Sequence, residues 1–232
     1  MSSMEELKEL AGRHAASYVK NGMKVGLGTG STVKYTILEL GRRIRDEDLI
    51  ITCVPTSIQT EKLSIEQGIP LENLATLNGL DIVIDGADEF DENLILIKGG
   101  GGALVREKIV AQSSKSMIVV ADESKKVKTL GKFPLPVEVI QFSWDETKRK
   151  ICEITNLHES KANLRLNKNS NEPMITDNGN YILDLSFEII DNPLELEKTL
   201  ISLAGVLDCG LFCGIADRII LASNNGIQII EK

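Results

Sequence analysis

Clusters of glycine, hydroxyl and charged residues directly follow four apolar segments that we predict to be strands. GTGST follows KVGL, DGADE follows DIVI, KGGGG follows LILI, and ADESK follows MIVV. These residue types suit the binding of a small phosphorylated ligand and the transfer of a proton. In an open parallel sheet, ligands bind outside the carboxyl ends of the strands. Four clusters at that one edge predict a single pocket.

The segment GLGTGST is the first candidate for phosphate binding. A dinucleotide fingerprint needs a third glycine where Ser31 stands, and a Walker A loop needs a lysine that this segment lacks. What remains is a glycine turn entering a helix, with Thr29, Ser31 and Thr32 as donors. Backbone N–H groups at a helix start bind phosphate well. A plain tight turn between strand and helix is an equally good interpretation of this segment alone.

In DGADE, two carboxylates lie three residues apart across a Gly-Ala turn. The spacing fails the calcium-loop pattern. We therefore favour Asp85 and Asp88 as acceptors of hydrogen bonds from the hydroxyl groups of a polyol. The alternative is an exposed acidic loop in which Glu89, Asp91 and Glu92 are solvated.

The segment KGGGGALVREK holds four consecutive glycines and one glutamate, Glu107. Ordering this run is costly, because glycine loses more backbone freedom on folding than any other residue. We expect bare backbone to approach a ligand here, with Glu107 on a helix as the proton carrier. Apolar neighbours would raise the pKa of the Glu107 carboxyl, whereas the helix N-terminus and Lys98 would lower it; the sequence does not rank these effects. A surface glutamate paired with Arg106 or Lys108 is the alternative.

Two lysines follow strands at the same predicted edge. Lys98 is suited to stabilise an oxyanion, and Lys125 to contact phosphate or another part of a substrate. Solvated side chains, which most lysines have, are the alternative for both.

Apolar segments that alternate with helical ones predict an α/β unit, a mostly parallel sheet with helices on both sides. The two prolines in FPLPVEVIQF indicate a boundary, after which the order is β-α-β-β-α-β, a ferredoxin-like pattern. We predict a Rossmann-like domain of residues 1–131 and 207–232 and a smaller α+β lobe of residues 132–206. We also expect SWDE to be a helix capping box and ADRIILASNNGIQII to be a hairpin with Asn-Gly at its turn.

The 232-residue chain has a net charge of −8, two histidines and four cysteines. The acidic balance disfavours nucleic acid and membrane surfaces as partners, and no segment approaches the ~20 apolar residues of a membrane helix. Two histidines, His14 and His158, give little basis for Ser-His-Asp, Cys-His or zinc chemistry. The cysteines follow no zinc or disulfide pattern, so we expect reduced thiols in a cytoplasmic protein.

Taken together, several motifs resemble those of ribose 5-phosphate isomerases of the A type. The motifs are GLGTGST, VPTSIQTEKL, DIVIDGADE, IKGGGGALVREKI, ADESKKV, LGKFPLPVEV, TDNGN and GLF, in the order found in the family. The resemblance implies a Rossmann-like sheet with an α+β lobe and association as a homodimer or homotetramer. It also implies that D-ribose 5-phosphate and D-ribulose 5-phosphate are interconverted in the pentose phosphate pathway, without a metal or a cofactor.

By motif, the resemblance implies that Glu107 is the proton-transfer base, with Lys98, Asp85 and Asp88 in further catalytic roles. The substrate-binding positions that it implies are Thr29, Gly30, Ser31, Thr32, Asp85, Gly86, Ala87, Asp88, Lys98, Gly99, Gly100, Gly101 and Lys125. Cys213 and Ile215, in the stretch GLFCGIADRIILA, lie in a region that varies in the family, and they leave this assignment unchanged.

A non-catalytic sugar-phosphate sensor of the same fold is the main alternative function. Such regulators usually carry a basic helix-turn-helix ahead of the domain, and we expect none here. An enzyme of the same broad fold that acts on amino-sugar phosphates or CoA esters is a further alternative. An amino-sugar deaminase would need a histidine near the base, which this sequence does not readily supply.

Overall fold

The computed structural model describes residues 3–168 and 170–232. Its contacts divide the chain into two compact units. The first unit holds the described residues up to Ala87 together with Arg106–Lys126 and Gly214–Lys232; the second holds Asp88–Val105 and Val127–Cys213. Within the described residues, no helix combines the length and the apolar composition that crossing a membrane requires.

Helices and strands are labelled in chain order. The helices are α1 Met4–Ala16, α2 Val33–Asp46, α3 Ile58–Glu66, α4 Leu74–Leu77, α5 Leu104–Gln112, α6 Trp144–Thr155 and α7 Pro193–Ile201. The strands are β1 Lys24–Leu27, β2 Thr52–Pro55, β3 Ile82–Gly86, β4 Glu89–Phe90, β5 Leu96–Ile97, β6 Met117–Asp122, β7 Leu135–Val139, β8 Ala162–Leu164, β9 Tyr181–Leu185, β10 Val206–Cys209, β11 Leu211–Phe212, β12 Arg218–Ser223 and β13 Gly226–Glu231.

The first unit is built around a six-stranded sheet in the order β13-β12-β6-β3-β1-β2. Neighbouring strands are parallel except for β12 and β13, which form a hairpin. Strand β2 lies on one side of β1, whereas β3 and the later strands lie on the other. The chain order therefore reverses between β1 and β3. Open α/β sheets bind ligands outside the carboxyl ends of the strands at such a switch point.

Successive residues of β1 point to opposite faces of this sheet. Val25 and Leu27 join Leu40 of α2 in the apolar core on one face. On the other face, a Cβ built at Gly26 would lie 2.6 Å from Cγ1 of Val110. Helix α5 therefore packs directly on β1, and the glycine makes this close approach possible.

The second unit contains two antiparallel sheets, one of four strands in the order β10-β7-β9-β8 and one of three in the order β11-β5-β4. The elements β7-α6-β8-β9-α7-β10 follow the predicted β-α-β-β-α-β order. Val137 of β7, Ile151 of α6 and Leu200 of α7 belong to its apolar core. The predicted fold class, a mostly parallel α/β sheet domain with a smaller α+β lobe, is confirmed.

The prediction that LILI is a strand of the parallel sheet is wrong. It forms β5, which pairs antiparallel with β4 and β11 in the second unit. The reason is a turn at Asp91, whose Oδ1 accepts hydrogen bonds from the N–H groups of Asn93 (3.0 Å) and Ile95 (2.9 Å). This turn folds β5 back along β4. Asp88–Val105, which includes β4 and β5, belongs to the second unit, whereas we expected it in the first domain. The domain boundaries themselves stay a prediction.

The predicted capping box at SWDE is also wrong. Ser143 has a left-handed backbone conformation, φ 49° and ψ 42°, and its side chain does not cap α6. A capping side chain reaches the helix N–H groups from an extended backbone, which Ser143 does not have.

The tail forms the predicted hairpin, but its turn lies one residue earlier than expected. Asn224 and Asn225 connect the strands, because Ser223 pairs with Gly226. Gly226 has φ +100° and is the first residue of β13. A left-handed residue directly after such a turn favours glycine, which accounts for the Asn-Gly sequence.

Candidate active site

The turn after β1 is tied to the end of β3 in the first unit. The N–H of Gly28 donates to the carbonyl oxygen of Ile84 (2.9 Å), and that of Thr29 donates to Oδ1 of Asp85 (3.1 Å). The N–H of Gly86 donates to the same Oδ1 (2.7 Å), and Asp85 is fully buried. A Cβ built at Gly28 would lie 2.0 Å from this oxygen. The glycine therefore lets the buried carboxylate sit at the switch point between β1 and β3.

A cluster of buried hydroxyl groups surrounds the side chain of Thr29. Its Oγ1 lies 2.8 Å from Oγ1 of Thr56 and 2.8 Å from Oγ of Ser57. Oγ1 of Thr60 donates to the carbonyl oxygen of Gly28 (2.8 Å), and all these threonines and the serine are buried. Sequence reasoning alone misses this cluster. The available signal is that Thr56 and Ser57 directly follow the apolar strand β2 in VPTSIQTEKL.

Helix α2 begins directly after this turn. Gly30, at φ +137°, and Ser31 are exposed, and Thr32 is half-buried. Thr32 occupies the N-cap position, but its side chain does not cap the helix. The start of this 14-residue helix offers backbone N–H groups and the positive end of the helix dipole. These features suit an anion such as phosphate.

Glu107 lies in the first turn of α5, and only 3% of its surface is exposed. Helix α5 lies in the connection from β3 to its parallel neighbour β6. A helix that connects parallel strands runs antiparallel to them, so its N-terminus faces their carboxyl ends. This topology puts Glu107 at the sheet edge where β3 ends with Asp85 and Gly86. The alternative of a surface glutamate is wrong, because Glu107 and Lys108 are both buried.

Lys125 lies just after β6, in the short 3₁₀ turn Glu123–Lys125, and is half-buried. The buried Asp122 sets this turn by accepting hydrogen bonds from the N–H of Ser124 (2.9 Å) and from its hydroxyl group. Strand β6 is the neighbour of β3, so Lys125 follows an adjacent strand at the same edge.

In the second unit, Asp88 is joined to the glycine loop, which we define as Gly99–Gly102. The N–H of Gly100 donates to Oδ2 of Asp88 (2.7 Å), and the N–H of Asp88 donates to the carbonyl oxygen of Ile97 (2.8 Å). A Cβ built at Gly100 would lie 2.6 Å from Oδ1 of Asp88. The carboxylate and the loop are thus in direct contact.

Lys98 is 2% exposed, which is rare for lysine. Its N–H donates to the carbonyl oxygen of Gly210 (2.8 Å), and its Nζ lies 5.4 Å from the centroid of the Phe212 ring. A Cβ built at Gly210 would lie 2.1 Å from the Lys98 carbonyl oxygen. Gly210 separates β10 from β11, so GVLDCGLF contains two short strands. The alternative of a solvated Lys98 is wrong.

Two glycines of the loop are required by its backbone conformation and its packing. Gly99 and Gly102 have φ values of +102° and +82°, which L side chains rarely adopt. A Cβ at Gly99 would lie 2.9 Å from Cδ2 of Leu104, and one at Gly102 would lie 2.3 Å from Cε of Met174. The conformation and packing of the loop therefore require these two glycines irrespective of any ligand.

The interpretation of Glu89 and Asp91 as solvated acids is wrong. Both side chains are buried, and Glu89 accepts hydrogen bonds from the N–H groups of Gly131 (2.9 Å) and Phe133 (2.6 Å). Glu92 is exposed, as that interpretation predicts. Two acids of this segment thus support loops rather than face water.

The predicted site residues fall into two groups, one in each unit. At the sheet edge of the first unit are Thr29, Gly30, Ser31, Thr32, Asp85, Gly86, Ala87, Glu107 and Lys125. In the second unit are Asp88, Lys98, Gly99, Gly100 and Gly101. The first group contains two buried carboxyl groups and the backbone N–H groups at the start of α2. The second offers a cation, a carboxylate and the backbone of the glycine loop.

One cluster of potential metal ligands occurs among the described residues, and it lies in the second unit. Glu197, Asp208 and Cys209 place ligand atoms within 4.8 Å of one another. None of the predicted site residues belongs to this cluster. Of the other cysteines, Cys53 is buried in β2, and burial raises the pKa of its thiol to about 12.

Comparison with known proteins identifies the family. The sequence model of ribose 5-phosphate isomerase A (phosphoriboisomerase A) matches residues 52–226. Ribose-5-phosphate isomerase A 1 of Oceanobacillus iheyensis is 46% identical over 234 residues, which cover 99% of this chain and 100% of the relative. Ribose-5-phosphate isomerase A of Bacillus mycoides is 49% identical over 226 residues, 97% of this chain and 99% of the relative. The chain belongs to the ribose 5-phosphate isomerase A family.

A solved family structure shows that the similarity extends to the fold. A D-ribose-5-phosphate isomerase in complex with phospho-erythronic acid is 40% identical, with a TM-score of 0.95 and coverage of 100% of both chains. The resemblance inferred from the motifs is thereby confirmed. The stretch matched by the ribose 5-phosphate isomerase A model contains Asp85, Asp88, Lys98, Glu107 and Lys125.

Proposed function

We propose that this chain interconverts D-ribose 5-phosphate and D-ribulose 5-phosphate and that Glu107 carries the transferred proton. Membership of the ribose 5-phosphate isomerase A family supports the reaction. One observation supports the base: Glu107 is a carboxyl side chain, 3% exposed, in the first turn of the helix that connects β3 to β6. A carboxylate shielded from bulk water at a ligand-binding edge suits general-base chemistry.

The reaction moves a proton between two adjacent carbons of the open-chain sugar. Glu107 takes the proton from C2 of the aldose, and the released electron pair forms the C1–C2 double bond of a cis-enediolate. The same carboxyl then returns the proton to C1, while the proton of the O2 hydroxyl group moves to O1, which gives the ketose. One carboxylate serves both steps because the two carbons are adjacent and the proton stays on one face of the enediolate.

Negative charge develops on the sugar oxygens during this transfer. Lys98 and N–H groups of the glycine loop stabilise that charge, as donors of an oxyanion hole do. Asp85 and Asp88 accept hydrogen bonds from sugar hydroxyl groups and assist opening of the ring. The turn Thr29–Thr32 and Lys125 contact the remainder of the sugar phosphate, including its phosphate group. The relative in complex with phospho-erythronic acid supports such a ligand, since that acid combines a phosphate with a planar carboxylate that resembles the enediolate.

We further propose that the enzyme acts in the non-oxidative branch of the pentose phosphate pathway, in the cytoplasm, as a homodimer or homotetramer. The motif resemblance supports the pathway and the assembly. The net charge of −8 disfavours nucleic acid and anionic membrane surfaces as partners. No metal or cofactor takes part in the proposed steps. The mass of the purified protein by light scattering distinguishes dimer, tetramer and monomer.

The substitution Glu107→Gln tests the assignment of the base. Glutamine keeps the shape of the side chain but cannot accept the proton, so we expect turnover to fall by ~10²–10⁴-fold. Binding of phospho-erythronic acid, measured by calorimetry, should largely persist. Turnover is measured as ketose formation from ribose 5-phosphate, and in the wild type it should be the same with and without a chelator.

The matched control is Glu61→Gln. Glu61 also lies in the first turn of a helix, α3, but it is exposed. This variant should retain wild-type turnover. Full activity of Glu107→Gln would refute the assignment of Glu107 as the base. A wild-type protein that binds ribose 5-phosphate without forming ketose would favour the sensor, and loss of turnover with chelator would show a metal.

A further inference from the structure

The glycine loop contacts the side chain of Arg165, which has no role in the proposed reaction. The side chain of Arg165, which follows β8, is 13% exposed. Its Nη1 donates to the carbonyl oxygens of Gly99 (2.7 Å) and Gly100 (3.2 Å). Its Nε donates to Oδ2 of Asp184 on β9 (2.9 Å), and its Nη2 donates to Oδ1. The guanidinium group thus bridges a carboxylate and two carbonyl groups of the loop.

The peptide group between Gly99 and Gly100 is held at both ends. Its carbonyl oxygen accepts a hydrogen bond from Arg165, and its N–H donates to Oδ2 of Asp88. A trans peptide group is planar, with the C=O and N–H bonds pointing in opposite directions. Arg165 and Asp88 therefore fix the plane of this peptide from its two sides. Loss of the arginine would release the peptide and, through it, the Asp88 carboxylate.

The next peptide group is oriented by the same arginine. Because the carbonyl oxygen of Gly100 also faces Arg165, the N–H of Gly101 must point the opposite way. Two successive carbonyl oxygens, which would repel an anionic ligand, are thus drawn to one cation. An N–H donor is left on the other side of the loop.

Arg165 is itself held in place. Its N–H donates to the carbonyl oxygen of Ile182 (2.8 Å), and its carbonyl oxygen accepts from the N–H of Met174 (2.9 Å). Asp184 fixes the far end of the side chain. A run of glycines has the greatest backbone freedom of any sequence, so confining it to one conformation requires a rigid anchor. Arg165 can serve as this anchor, because both its backbone and its side chain are fixed by hydrogen bonds.

We propose that Arg165, held by Asp184, is a positioning residue for the isomerase reaction. It orients the glycine loop so that Asp88 and the N–H of Gly101 face the sugar phosphate. The inference rests on the proposed function, since it requires the loop to contact ribose 5-phosphate. Arginine suits this task because its planar fork reaches a carboxylate and two carbonyl groups at once, whereas a lysine ammonium is a single point charge.

Replacement of Arg165 by alanine tests the proposal. We expect kcat/KM for ribose 5-phosphate to fall ~10–100-fold, the range for losing hydrogen bonds to a charged group. KM should rise and kcat should fall, because both Asp88 and the loop N–H are displaced. Guanidinium chloride, which can fill the space left by the side chain, should restore part of kcat/KM; sodium chloride at the same ionic strength should not. Mere loss of folded protein would lower the apparent kcat and leave KM unchanged.

Arg149→Ala is the matched control. Arg149 also donates through two nitrogens to one carboxylate: its Nε donates to Oε2 of Glu146 on α6 (2.9 Å), and its Nη2 donates to Oε1 (2.7 Å). The Arg149→Ala variant should keep the wild-type KM and kcat, and guanidinium should not change either constant. If Arg165→Ala does not fold, Arg165→Lys takes its place, with kcat/KM expected at least about tenfold below wild type. A wild-type kcat/KM in the folded Arg165 variant, or the same guanidinium response in the control, would overturn the positioning role. A wild-type enzyme without isomerase activity would instead refute the proposed function.

Discussion

Two glycine segments contain predicted site residues, one in each unit, and they are held by different contacts. In the first unit, the turn after β1 extends the parallel pairing of β1 with β3, because the N–H of Gly28 donates to the carbonyl oxygen of Ile84. In the second unit, the glycine loop follows the two-residue strand β5. Its peptide groups are held by the side chains of Asp88 and Arg165.

This difference shows two ways to build a binding surface from flexible backbone. The first segment is held by a backbone hydrogen bond to β3 together with the buried side chains of Asp85 and Thr60, and there is little space beside it. The second segment depends on single side chains, one of which lies 66 residues further along the chain. Added side-chain volume should therefore damage the first segment most, whereas removal of one distant side chain should damage the second.

The largest effect is expected for Gly28→Ala in the first unit. The new Cβ would lie 2.0 Å from Oδ1 and 2.6 Å from Cα of Asp85, and that Cα belongs to a central strand that cannot easily move. Overpacking typically costs 1–3 kcal/mol, so we expect a loss of unfolding free energy of about 3 kcal/mol or more. Urea unfolding measures this loss.

Gly86→Ala is the control for this prediction. A Cβ at Gly86 would lie 3.8 Å from Cγ2 of Val33 and 3.9 Å from the carbonyl oxygen of Val120, which is ordinary contact. Its unfolding free energy should change by no more than about 1 kcal/mol. Equal losses in the two variants would show that the close approach at Gly28 is not what constrains the turn.

A smaller effect is expected for Thr60→Val. The substitution removes the hydroxyl group that donates to the carbonyl oxygen of Gly28 and lies 3.2 Å from Oγ1 of Thr29. A buried carbonyl oxygen that loses its donor costs about 1–3 kcal/mol of unfolding free energy. Thr60→Ser keeps the hydroxyl group and should recover most of this loss. If valine and serine are equally destabilising, the hydroxyl cluster does not order the turn.

The smallest effect is a difference in chemical reactivity between two thiols, one in each unit. This prediction does not involve a change in the unfolding free energy. Cys53 is buried, and because its pKa is raised to about 12, its reactive thiolate form is scarce at neutral pH and increases only as the pH approaches that value. Cys213 is half-buried. A disulfide reagent at neutral pH should therefore modify Cys213 in the folded protein and Cys53 only after unfolding. Cys213→Ser should remove the reaction of the folded protein, and rapid modification of Cys53 would contradict its burial.

Local patterns predict the parallel sheet well but fail for the smallest strands. Strands β1, β3 and β6 are apolar runs because they are buried on both faces, and this signal is present in each segment alone. LILI has the same composition, yet β5 pairs antiparallel with β4 and β11. Nothing within an apolar run of this length specifies the partner strand, so its sheet could not be predicted.

The amino-acid sequence by itself determined the chemistry available at the candidate site. The carboxylates Asp85, Asp88 and Glu107 and the glycines beside them are recognisable because residue type and position after a strand are local properties. Only the tertiary structure decided which acids are buried, as for Glu89, and which distant groups hold the loops, as for Arg165. These contacts join segments far apart in the chain, and their hydrogen bonds form only when both segments are folded.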